Sequence, residues 1–168
     1  MGAGAKAAPR ACGEGLSRSP VRSAVVTLST SAFVKLIVDE SRSDEARTWS
    51  TEARLVATSV VTYPETCAAL CGRDRFTAPV GGCLDSWLAE LGDRWRRTAK
   101  IRVAERPAGL LAPAHALRGT DAVLLAAACT LRDAAAHQGP APGVVFAAFD
   151  RRLPEAAERE GFATLGGA

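Results

Sequence analysis

The stretch Ala24-Val25-Val26-Thr27-Leu28-Ser29-Thr30-Ser31-Ala32-Phe33-Val34-Lys35-Leu36 constrains the fold more than any other in the chain. It opens as an apolar run rich in β-branched residues, the pattern of a buried strand. Ser29, Thr30 and Ser31 interrupt it, and the apolar residues that follow can continue as a short helix. A polar break of this kind lies at the carboxyl end of a buried strand, where open α/β sheets tend to place their sites. The hydroxyls have two readings. Thr30 or Ser31 caps the helix by accepting a backbone N–H bond, or they line a site.

The same alternation runs on. Ile37 to Ser41 closes the short helix, and Ser43 is expected to cap another through Ala46 and Trp49, with Asp44 and Glu45 suited to its first turn. A second strand is predicted over 54–58, followed by a helix capped by Ser59 and reaching about Gly72. Pro64 either defines that helix's first turn or kinks it beside Glu65. Arg73 to Gly82 is polar and turn-rich and is expected as a loop. Leu84, Trp87, Leu88, Leu91 and Trp95 then recur at helical spacing. A strand is predicted over 100–104 and a helix from Pro107 to about Leu117. Gly119 ends it, and Thr120 caps a buried helix over 121–137. A loop over 139–143 leads to the apolar strand Val144 to Phe149, ended by Asp150. A helix over 153–160 and an edge strand over 162–165 complete the pattern. Strands alternating with helices imply an α/β fold, a mostly parallel sheet covered on both faces.

Composition narrows the setting. With 168 residues, 48% of them apolar, the chain can bury a real core. Neither repeat nor linker divides residues 21–168, so one domain is expected there. Residues 1–20 read as a disordered tail or the product of an over-early start codon, with a short RNA-touching basic arm as the alternative. That segment has no apolar h-region, which argues against a secretory signal. The net charge of +3 permits a nucleic-acid partner without requiring one. No apolar run approaches the roughly 20 residues of a membrane span. The five cysteines are odd in number and form no CxxC pair, which suits a reduced, cytoplasmic setting. Cys67 and Cys71, one helical turn apart, read as buried small residues rather than ligands. His115 and His137 stand in unrelated segments.

Three carboxylates fall where elements change. Glu65 stands in the first turns of a helix among apolar neighbours, Asp121 opens the most buried helix, and Asp150 ends the most apolar strand. Taken singly, a solvated residue, a helix-dipole charge and a helix cap explain them. Converging at the carboxyl edge of a parallel sheet, they would repel one another and raise their pKa values. A hard cation relieves that repulsion, and carboxylate oxygens suit Mg²⁺ and Mn²⁺. Such a site can polarise a phosphoryl oxygen and support an in-line displacement. Without a glycine-rich phosphate loop, a GxSxG motif or a plausible Cys–His pair, metal-assisted phosphodiester hydrolysis is the reaction class these residues favour.

Four segments resemble the PIN domain, and within it the VapC-type toxin ribonucleases. They are Leu28 to Leu36, Thr58 to Glu65, Leu117 to Ala126, and Val145 to Leu153. The resemblance covers roughly Ala24 to Leu165. It implies a three-layer α/β/α fold, Mg²⁺- or Mn²⁺-dependent endoribonuclease activity on RNA, inhibition by a small VapB-like antitoxin, and commonly a homodimer. By position it makes Glu65, Asp121 and Asp150 the acidic, metal-holding site and Ser31 the small hydroxyl beside it.

The chain departs from that pattern at one place. The family carries an aspartate two residues before the hydroxyl residue, and here that position is Ser29. The cluster thus holds about three negative charges instead of four at neutral pH. One dication can still be held by one or two carboxylates plus waters. Losing a ligand that also positions the attacking water costs on the order of 10²-fold in rate. The alternative is a catalytically inactive PIN-domain protein that holds RNA or an antitoxin. Lys35, Arg118, Arg151 and Arg152 flank the acids and suit RNA phosphates. Arg73, Arg75 and the helix end Arg94, Arg96 and Arg97 are further candidates, or ordinary solvated charge.

Overall fold

The computed structural model describes residues 21, 24–77, 83–103, 105–137 and 143–167. The expected tail over 1–20 lies outside them. So do 78–82 and 138–142, which hold much of two expected loops, and Ala104 at the end of an expected strand.

Strands β1 (Val25–Leu28), β2 (Leu55–Ser59), β3 (Ala99–Ile101), β4 (Val144–Ala148) and β5 (Ala163–Gly166) form one sheet in the order β3-β2-β1-β4-β5. Every neighbouring pair is parallel. The connections carry helices α1 (Thr30–Ile37), α2 (Ser43–Glu52), α3 (Thr62–Thr77), α4 (Leu84–Arg97), α5 (Glu105–Ala114), α6 (Gly119–Ala136) and α7 (Arg152–Arg159).

Side chains of the central strands alternate between two cores, as the period of a strand requires. Val26, Leu28 and Ala147 pack with Phe33, Leu36, Trp49 and Leu91 on one face. Phe146 and Ala148 pack with Leu125, Ala128, Leu153 and Phe162 on the other. The result is the three-layer α/β/α arrangement. Full burial of residues such as Phe33 and Phe146 stabilises it by about 1.5–3 kcal/mol each. The buried strand hydroxyls are satisfied: Thr27 donates to the Val145 carbonyl at 3.0 Å and Thr58 to that of Leu28 at 2.7 Å.

The order of strands places the site. The chain moves outward from β1 through β2 to β3, then returns to the opposite side of β1 for β4. The switch point therefore lies between β1 and β4, where Leu28 pairs with Ala147. Ser29 to Ser31 and Phe149 to Asp150 leave the sheet there side by side. The Ser29 N–H donates to the Ala147 carbonyl at 2.9 Å, and the Phe149 N–H to Ser31 Oγ at 3.1 Å.

Several local expectations are corrected. Ser29, not Thr30 or Ser31, caps α1, its Oγ accepting from the Ala32 N–H at 3.3 Å. Ser43 is the first residue of α2 rather than its cap. Left-handed Arg42 holds the cap position, and Ser43 Oγ instead joins the Glu40 N–H to the Val38 carbonyl. Ser59 closes β2, and α3 starts at Thr62, which puts Pro64 in the first turn, where its missing N–H costs nothing. That helix continues to Thr77, so Arg73 and Arg75 are helical and not in a loop. Thr120 lies inside α6, whose cap position, Arg118, makes no side-chain bond.

Candidate active site

Glu65 stands in the first turn of α3, Asp121 in the first turn of α6, and Asp150 between β4 and α7. All three line one cleft of about 540 Å³, together with Ser29, Thr30 and Ser31. Residues far apart in sequence thus meet because the starts of α1, α3 and α6 and the β4–α7 junction open on the same cleft.

Each acid is held by its own surroundings. Thr30 Oγ1 donates to Glu65 Oε2 at 2.5 Å. Asp150 Oδ1 accepts the Leu153 N–H at 2.8 Å, so the aspartate also serves the start of α7, as the plainer reading of that residue required. Asp121 feels the other two acids. Burial raises its pKa above the ordinary aspartate range, and the charges of Asp150 and Glu65 raise it further, with Arg118 partly opposing them. That repulsion is the electrostatic sign of acids sharing one space.

Ser29 is 1% exposed, and its hydroxyl is engaged twice, by the Ala32 N–H and by Ser31 Oγ at 2.9 Å. It lines the cleft as a cap and a neutral hydroxyl.

The donors facing the cleft are carboxylate and hydroxyl oxygens, a set whose chemistry fits a hard dication. Among the described residues, however, no three or more His, Cys, Asp or Glu side chains are grouped closely enough to hold one ion. Glu65 and Asp150 are each bonded within the fold, Glu65 to Thr30 of α1 and Asp150 to the Leu153 N–H of α7. An ion here would be met by one or two carboxylates directly, with water completing its shell.

Arg118, Arg151 and Arg152 line the same cleft. Lys35 does not. It lines a neighbouring cavity and donates to Glu40. Arg73 also donates to Glu40. The basic end of α4 lies elsewhere: Arg94 and Arg97 line a separate cavity with Arg54 and Leu55, and Arg96 pairs with Asp93. Cys67 and Cys129 are part-buried, and burial pushes both thiols up, which keeps them protonated and unreactive.

Two residues of the site were only partly legible in the sequence. Thr120 reads there only as a cap and Thr30 as either a cap or a site hydroxyl, and both line the cleft. The available signal for Thr30 was its place between two serines at the end of a buried strand. Its bond to Glu65 depends on a contact across 35 positions.

No helix among the described residues is long and apolar enough to cross a membrane. No protein-family model matches the chain. Two curated relatives from Mycobacterium tuberculosis do, each at 36% identity over 140 residues: Ribonuclease VapC45 of strain CDC 1551 / Oshkosh and Ribonuclease VapC49 of strain ATCC 25618 / H37Rv. Each match spans 82% of this chain and 92% of the relative. An all-parallel sheet with acids gathered at its switch point, and relatives so named along nearly their full length, together establish that the chain belongs to the VapC family of PIN-domain ribonucleases.

Proposed function

We propose that this protein is a metal-dependent endoribonuclease toxin of a VapBC-type system, with turnover weakened by Ser29. The observation that carries the reading is the gathering of Glu65, Asp121 and Asp150 on one cleft rimmed by Arg118, Arg151 and Arg152. One or two of Asp121, Glu65 and Asp150 would hold Mg²⁺ or Mn²⁺ directly and the rest through its waters, and the ion would supply Lewis-acid polarisation of a phosphoryl oxygen when bound. The arginines neutralise the RNA backbone as it enters. Thr30 fixes the orientation of Glu65, and Ser31 ties the start of α1 to the chain leaving β4. Ser29 contributes no charge, so fewer ligands orient the ion and its water. A cytoplasmic protein, a homodimer and a VapB-like antitoxin partner complete the reading and rest on family membership.

Purified protein incubated with structured RNA and Mn²⁺ tests it. Slow cleavage is expected, lost on Asp121→Asn and increased by Ser29→Asp. Absence of cleavage by both this protein and Ser29→Asp would leave the second reading, a non-catalytic binder of RNA or antitoxin. The specific observation favouring that reading is that the Ser29 hydroxyl is already committed to the α1 cap and to Ser31.

A further inference from the structure

Thr30 and Ser31 wall a second cavity besides the acidic cleft. It measures about 390 Å³ and is also lined by Lys35, Glu40, Arg73 and Phe149. Because the two spaces share Thr30 and Ser31, an RNA strand leaving the cleft along this rim meets the second cavity next.

Two cations from different helices converge there on one carboxylate. Lys35 Nζ, from α1, donates to Glu40 Oε1 at 2.8 Å, and Arg73 Nη2, from α3, donates to Glu40 Oε2 at 2.5 Å. Each oxygen takes one charged donor, which is the pattern the two free oxygens of a phosphodiester would take from the same pair. Burial works against the charge on Glu40, but the bonds from Lys35 and Arg73 outweigh it and hold the carboxyl below its usual range. Glu40 is therefore an anion at neutral pH.

Lys35 does not depend on Glu40 for its position. Its side chain is only 12% exposed, its Nζ also donates to the Ser41 carbonyl at 2.7 Å, and it lies 4.9 Å from the Phe149 ring centroid. Glu40, at 26% exposure, and Arg73, at 38%, are the more solvent-facing members. The carboxylate can swing outward and leave the lysine in place.

We propose that Lys35 and Arg73 form a backbone-phosphate subsite beside the acidic cleft, and that Glu40 is a resident anion which an RNA phosphate displaces. The proposal rests on the RNA-binding reading of the same protein and adds its partner chemistry: Glu40 attenuates RNA affinity by competing for the two cations.

Fluorescence anisotropy with a 5′-labelled single-stranded oligoribonucleotide, in EDTA and over a range of salt, tests it, with thermal unfolding measured alongside. Glu40→Gln is expected to bind about five- to tenfold tighter, the scale of one charge-assisted bond. Its salt dependence is expected to steepen by about 0.7 for each phosphate gained. Lys35→Met is expected to weaken binding and flatten the slope by a similar amount. Glu40→Asp, which keeps the charge but reaches less far, is expected to fall between wild type and Glu40→Gln and serves if the glutamine variant does not fold. Wild-type binding with no tightening in either Glu40 variant would overturn the subsite and make Glu40 a structural tether. Binding by none of the proteins would instead remove the RNA reading on which the subsite rests.

Discussion

Thr30 Oγ1 donates a 2.5 Å hydrogen bond to Glu65 Oε2, joining the first residue of α1 to the first turn of α3. The two helices start at the carboxyl ends of neighbouring strands, so the bond spans the floor of the acidic cleft. A carboxylate so held presents a fixed face to whatever enters.

Removing that donor should therefore cost activity more than stability. A hydrogen bond to a charged group contributes about 1.5–3 kcal/mol. Thr30→Val, nearly equal in shape, is expected to lower RNA cleavage roughly tenfold or more by that scale. Thr30→Ser keeps the hydroxyl and should stay close to wild type. Comparing cleavage rates and melting temperatures of the three proteins checks this. Equal rates in the valine and serine variants would show that the bond does not orient Glu65.

Asp121 links the site to pH. Its pKa is raised by burial and then by Asp150 and Glu65. A folded state that binds the proton more tightly than the unfolded one is favoured at low pH. The Asp121 contribution to stability is thus lost as pH climbs from the ordinary value of about 3.9 through the higher folded value. Asp121→Asn removes the strained charge. It should raise the melting temperature at neutral pH in metal-free buffer, with the gain shrinking toward acid pH, while cleavage is lost. A variant less stable than wild type at pH 7 would argue against repulsion at this site.

Ser29 can be replaced with little harm to the helix it caps, because aspartate is also a strong N-cap. The cost of Ser29→Asp is electrostatic, since the position is 1% exposed and faces a cleft already holding three acids. The variant should melt lower than wild type in EDTA and recover in Mn²⁺, by more than wild type gains from the ion. Ser29→Ala loses the cap instead and should cost about 0.5–2 kcal/mol whether or not metal is present. Thermal unfolding with and without Mn²⁺ separates the two effects.

The edge of the sheet offers a test of the fold alone. Gly166 has φ +98°, and a Cβ there would lie 2.0 Å from the Ala148 carbonyl oxygen. Gly166→Ala must shift β5 away from β4, and should destabilise by more than about 1 kcal/mol. Gly161, also at positive φ but with no atom near its would-be Cβ, should lose less. Denaturant midpoints of the two variants decide the order.

Much of the fold is readable from the sequence because parallel strands buried on both faces become continuous apolar runs, as Val144 to Ala148 does. The acids are readable because each falls where one element gives way to the next. The capping detail is not. Ser29, Thr30 and Ser31 are equivalent as a string, and the cap is decided by where pairing ends, at the bond from the Ser29 N–H to Ala147. The length of α3 is hidden for a similar reason. Gly72 and the charges after it suggest a stop, yet Gly72 has open space around it and Arg73 is drawn to Glu40 from a different segment. The tie from Thr30 to Glu65 is equally a product of the packed sheet.

Isothermal titration of Mn²⁺ into the wild-type protein, Asp121→Asn and Ser29→Asp addresses the shared acidic site most directly. Saturable binding is expected in wild type, at least about tenfold weaker in Asp121→Asn and tighter in Ser29→Asp, the scale of one carboxylate gained or lost. Identical titrations for all three proteins, or no heat of binding from any of them, would mean that Glu65, Asp121 and Asp150 do not act on a common ion.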